Sequence, residues 1–114
     1  MSGNSSLNYT AKHWDVRPNE HVTLPVQSED CKLWIWNRGP EKVSVMENAQ
    51  SHIKDILHDD TYTFDVPAGK VITIHHASNI KDASGSYIFL SGPSEVTKKV
   101  AELLDFFKSI KFHS

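Results

Sequence analysis

The stretch Lys32-Leu33-Trp34-Ile35-Trp36-Asn37 constrains the fold more than any other. In a strand, successive side chains project to opposite faces, so Leu33 and Ile35 point one way and Trp34 and Trp36 the other. Both faces are apolar. A strand with one face in water reads apolar at alternate positions only. A second layer must therefore cover the tryptophans: another sheet, a helix or a neighbouring subunit.

The flanking sequence supplies candidate strands. His21 to Val26 carries Val22, Leu24 and Val26 in period two, with Pro25 marking an edge or a bulge. Asn37-Arg38-Gly39-Pro40 reads as a hairpin turn after the tryptophan strand. Lys42 to Met46 alternates, with Val43 and Val45 on one face. Ser51 to Leu57 is compatible with a strand or a short helical turn. Thr61 to Val66 places Tyr62, Phe64 and Val66 together, Pro67-Ala68-Gly69-Lys70 turns the chain, and Val71 to His76 is β-branched. Ser86 to Leu90 is a second strand with two apolar faces. Turns every eight to twelve residues or so signal an antiparallel sandwich or barrel. The expectation is an all-β fold: a small antiparallel β-sandwich, jelly-roll-like or Ig-like, of six or seven strands.

The last segment changes period. Val96, Val100, Leu103, Leu104, Phe107 and Ile110 form one apolar stripe on an α-helix. Pro93 and Glu95 suit its start, and Lys108 and Lys111 its end. A helix of about 15–17 residues is marginal alone in water, so it must dock. Three segments follow: a flexible, Ser/Asn-rich N-terminal arm over residues 1–12, a sandwich over 13–92, and a C-terminal helix over 93–112. The helix packs on the sandwich or on a neighbouring subunit.

Composition narrows the function classes. At 114 residues the chain is one domain by length, and 39% hydrophobic content supports a core. The formal net charge is −2 and the lysines and arginines are scattered, which argues against nucleic acid as a partner. No apolar run approaches membrane-spanning length. The N-terminus is polar, without the apolar core of a signal peptide, so the expected site is the cytoplasm or a particle assembled there. A single cysteine, Cys31, excludes an intramolecular disulfide.

Two short resemblances touch on metal chemistry. Gly69, followed after five residues by His75, resembles the opening of the cupin metal motif. That family expects a second histidine two positions on and a glutamate soon after, where this chain has Ala77 and no acid until Asp82. Adjacent His75 and His76 project to opposite faces of a strand and do not readily share one metal. The stretch from Val66-Pro67-Ala68-Gly69 to Gly85-Ser86-Tyr87-Ile88-Phe89 resembles the closing strands of a cupredoxin sandwich. Copper there needs a cysteine after the last strand, and this chain has Ser91, Gly92 and Pro93. No cofactor is expected, and the metal alternative rests on His75 or His76 with His52 or His58 from elsewhere. The acid pairs Glu29-Asp30 and Asp59-Asp60 flank turns and read as solvated loops.

The expected function is therefore non-enzymatic: a structural or binding module that self-associates or docks on a larger assembly. By analogy of fold, an accessory protein of a virus particle fits this description. Aromatic residues are enriched at interface cores, which nominates Trp34, Trp36, Phe106 and Phe112 as the glue of a homo-oligomer. A carbohydrate or small-ligand module is the alternative, using Trp34 and Trp36 with Asn37, Arg38 and Asn79. A cupin-like metal-dependent enzyme is the second alternative.

Overall fold

The computed structural model describes residues 7–76 and 81–113, with helix side chains described as far as residue 108. Among the described residues eight strands precede one helix: β1 (Asn8–Val16), β2 (His21–Thr23), β3 (Cys31–Gly39), β4 (Val43–Glu47), β5 (Ser51–Ile56), β6 (Thr61–Val66), β7 (Ile72–His76), β8 (Ala83–Ser91) and α1 (Ser94–His113). They form two four-stranded antiparallel sheets, in the orders β1-β8-β3-β6 and β2-β7-β4-β5. The chain changes sheet at every connection except β4–β5. This interleaving is the double Greek key of a jelly roll, and it decides between the two sandwich topologies that the sequence leaves open.

Alternation explains the core. From β3, Cys31, Leu33, Ile35 and Asn37 face inward; Leu33 and Ile35 are fully buried. Tyr87 and Phe89 lie beside them on β8, and Val43, Val45, Ile56, Ile72 and Ile74 oppose them from the second sheet. The outward set of β3, Trp34 and Trp36, lies beneath α1, which contacts β3 and β8. Trp34 is 4% exposed. The architecture is thus three layers, sheet on sheet on helix, with β3 buried on both faces as its composition requires.

Asn37 joins the two sheets at one corner. Its Nδ2 donates to the carbonyls of Glu41 and Ile56, each at 2.8 Å, and its Oδ1 accepts from the Gly39 N–H at 2.7 Å. Its backbone accepts from the Asp59 N–H and donates to the Asp60 carbonyl. Two of the crossovers between the sheets at this end, β3–β4 and β5–β6, therefore hang on one residue. Gly39 has φ +90°, and a Cβ there would overlap the His58 ring.

Four sequence expectations change, the first being the strand count, which is eight among the described residues where the sequence pattern predicts six or seven. Residues 8–12, assigned to a flexible arm, belong to β1; Trp14 at 3% exposure and Val16 at 3% hold that strand in the core. Asn37 to Pro40 is no hairpin but the crossover from one sheet to the other, because the Asn37 amide fixes it there. The hairpin lies instead at β4–β5, where Asn48 and Ala49 take positive φ. The helix docks through Thr97, Ala101, Leu104 and Lys108, so that Leu104 of the apolar stripe faces the sheet while Val96, Leu103 and Phe107 stay exposed. Thr97 and Ala101 are 4% and 5% exposed, whereas Val96, Leu103 and Phe107 are 37%, 51% and 59% exposed. Two indoles fill the layer between sheet and helix, so the helix positions above them take small residues.

Replacing Asn37 with alanine strips the Glu41 and Ile56 carbonyls and the Gly39 N–H of their partner. Unsatisfied buried groups cost roughly 1–3 kcal/mol each, so Asn37→Ala is expected to lose about 3 kcal/mol or more, read as a lower urea midpoint at unchanged slope.

Candidate functional site

The outer face of the β1-β8-β3-β6 sheet, where α1 lies across it, gathers the aromatic and cationic residues. Trp34 Nε1 donates to Asp105 Oδ1 at 2.9 Å, and Thr61 Oγ1 donates to the same oxygen at 2.7 Å. One helix carboxylate thereby ties α1 to both β3 and β6. Trp34 and Trp36 sit 6.2 Å apart, tilted by 57°. Trp36 has two cations near its ring, with the Arg38 guanidinium 4.9 Å and the Lys108 ammonium 5.9 Å from its centre. Its Nε1 is buried with no acceptor among the described residues.

Beside the helix a cleft of about 340 Å³ opens over this face. Its floor is Trp34, Trp36 and Ile88, and its helix wall is Leu104, Phe107 and Lys108. On the β1 side stand Ala11 and His13, whose Nδ1 lies 3.2 Å from Ser86 Oγ. Among the described residues no acid lines it, and Lys12 joins Lys108 as a second lysine. This volume lies at the small end of the range for ligand pockets, about 300–1,000 Å³.

The opposite sheet carries a polar row. His21, His75, Ser44 and Asp55 stand in register across β2, β7, β4 and β5. The His21 and His75 rings stack at 4.9 Å. Burial holds the His75 pKa below the ordinary imidazole value, and the neighbouring His21 charge lowers it further. Ser44 Oγ donates to Asp55 Oδ1 at 2.7 Å, and His52 Nε2 bonds the same oxygen at 2.8 Å. These two bonds, His52 first, lower the Asp55 pKa, and Lys42 adds to the effect. A nucleophilic triad needs the imidazole between hydroxyl and carboxylate. Here both bond the carboxylate side by side, which leaves the Ser44 hydroxyl without a base.

The residues nominated from sequence scatter. His76 is 7% exposed and its Nε2 donates to the Lys81 carbonyl, while His75 projects to the other side of β7. His52 is held by Asp55, and His58 lies beside Gly39 in the β5–β6 turn. Among the described residues no group of three or more His, Cys, Asp or Glu side chains stands close enough to hold a metal. Trp34 is covered by the chain's own helix, which corrects its nomination as a subunit contact. Asn37 bonds internally and is fully buried, which corrects its nomination as a ligand contact. Trp36 and Arg38 do come together, and Phe106 is 58% exposed. Asn79 and the Phe112 side chain lie outside the described residues. Sequence reading missed His13, Asp105 and Lys108 as parts of one site. The signal for His13 was the β-prone run Tyr9-Thr10-Ala11 leading into Trp14; for Asp105 it was an acid flanked by apolar residues.

Cys31 is 8% exposed and its Sγ donates to the Glu29 carbonyl at 3.2 Å. Burial, then the negative charges of Glu29 and Asp30, raise its pKa, so the thiol stays protonated. No described helix is long and apolar enough to cross a membrane.

No protein-family model matches the chain, and no curated protein matches it. Among solved structures it is similar to one reported under the description that Bacillus endospore appendages form a novel family of disulfide-linked pili. The TM-score is 0.50 at 10% sequence identity, covering 81% of this chain and 95% of that one. At that identity the likeness shows the fold alone, and it agrees with the two-sheet architecture.

Two measurements check this geometry. Asp105→Ala removes the acceptor shared by Trp34 and Thr61; it is expected to cost about 1–2 kcal/mol and to shift tryptophan emission to the red as the helix loosens. Because folding lowers the His75 pKa, the unfolded chain binds more protons as pH falls below about 6.5, and stability declines there. Thermal unfolding followed from pH 7.5 to pH 5 is expected to show that decline, with a shallower slope in His75→Asn.

Proposed function

We propose that the protein is a non-enzymatic assembly module, a jelly-roll subunit that joins further copies of itself through the outward face of α1. One observation carries this reading. Val96, Leu103 and Phe107 remain 37%, 51% and 59% exposed on a helix whose other side is docked, with Phe106 at 58% beside them. Fully burying such a side chain is worth roughly 1.5–3 kcal/mol, so the face gains from a partner.

The spacing indicates what that partner is. Val96, Val100, Leu103 and Phe107 recur at intervals of four, three and four residues, and the sequence continues the seam at Ile110. That is the heptad a/d pattern, and a β-branched residue at a with leucine at d, as in Val100 and Leu103, favours two parallel strands. A second copy of α1 supplies the matching seam by symmetry. Trp36 and Phe106 flank this seam as the remaining aromatic candidates for the interface.

The pilus neighbour supports a self-assembling role for such a fold, but its disulfide linkage does not transfer. One cysteine per chain limits covalent linkage to pairs, and Cys31 is buried and protonated. A free thiol suits assembly in a reducing compartment, which fits a cytoplasmic site or a particle built there.

Light scattering over a wide concentration range tests the proposal. The expected result is a dimer or larger particle that Val96→Gln/Leu103→Gln dissociates, with association weakened about 100-fold or more. A native monomer at every concentration overturns it.

A further inference from the structure

We propose that the cleft between α1 and the outer sheet face binds a small amphiphile with an apolar body and one anionic head, of the class of medium-chain carboxylates. The apolar body has a floor of two indoles and Ile88 and a wall of Leu104 and Phe107. For the head, the lining itself supplies Lys108, 5.9 Å from the Trp36 ring centre, with Lys12 and His13 on the β1 side, and Arg38 lies 4.9 Å from the same ring outside the lining.

The charge pattern selects the ligand class. Among the described residues the lining holds Lys12, Lys108 and His13 and no acid, although the chain as a whole carries net negative charge. The nearest helix carboxylate, Asp105, is engaged by Trp34 and Thr61 on the β6 side. Arg38 and Lys108 face an aromatic ring rather than a carboxylate, so their Coulomb partner is left open. Trp36 Nε1 is a buried donor without an acceptor among the described residues. A neutral sugar would use hydrogen-bonding side chains across the floor. This floor is aromatic and aliphatic, and the rim is cationic.

The cleft is lined by one chain and shares Phe107 and Trp36 with the proposed seam, so the two readings are separated by a variant altered in the seam outside the cleft. The test is a titration of the full-length protein with decanoate, decanol and decyltrimethylammonium, followed by tryptophan emission and by calorimetry. Decanoate is expected to bind about tenfold or more tighter than either analogue, and more weakly as salt rises. Lys108→Gln and Arg38→Gln are each expected to weaken decanoate about three- to tenfold, as loss of a charge-assisted contact does. Lys54→Gln, whose cation lies over Tyr62, leaves it unchanged. Equal binding of the three probes, absence of binding, or indifference to the Lys108 and Arg38 substitutions overturns the proposal. Val96→Gln/Leu103→Gln is titrated alongside. Retained binding in that monomeric variant supports a site within one chain, and its loss would mean that the pocket forms only between copies, which also overturns it.

Discussion

Asn37 is the interaction on which the arrangement of the two sheets depends. A jelly roll passes the chain repeatedly from one sheet to the other, and each passage exposes backbone groups that no ladder satisfies. At the end of β3 two such passages meet. A primary amide has two donors and two acceptor sites, and here three polar groups from three segments take them up. A hydroxyl is too short, and a carboxylate cannot donate to two carbonyls. The chemistry of one side chain thus sets where β4 and β6 begin, and through them the register of both sheets.

The second constraint is the double-faced β3. Its inward residues close the sandwich, and its outward tryptophans require a third layer. The chain answers with its own helix, and the indoles determine how that helix lies. Small side chains at Thr97 and Ala101 let it approach, and Asp105 captures the Trp34 N–H. The consequence is a rotation of the helix about its axis. Most of its heptad seam is turned off the docked face, which places an adhesive edge next to an aromatic cleft on the same flank of the rod, with Phe107 common to both.

Much of this was legible in the sequence, and what was not has identifiable causes. Alternation in β3, β4, β6 and β8 reported the sandwich because strand period is local and the inward residues, Asn37 apart, are mostly apolar. The helix was legible for the same reason. Its docking face was not, because amphipathicity names the most apolar side, while packing on large indoles selects the side with the smallest residues. β1 was hidden by polar composition, since the edge strand is exposed over Asn8 to His13. The corner at Asn37 looked like a hairpin because Asn-Arg-Gly-Pro is turn chemistry, and turn residues do not reveal whether the next strand stays in the same sheet. The cleft combines β1, β3, β8 and α1, residues up to 97 positions apart, and no local pattern connects them.

The two broad faces of the molecule differ in kind. One bears the helix, the indoles and the cleft; the other bears the polar row of His21, His75, Ser44 and Asp55, with the β4–β5 hairpin at Asn48 and Ala49 in the same sheet. Copies joined by their greasy sides would turn this hydrophilic sheet toward the surroundings, like tiles laid with the glaze outward. A foreign peptide grafted into the Asn48–Ala49 loop would then decorate the exterior of whatever the copies build, clear of the seam that holds them together.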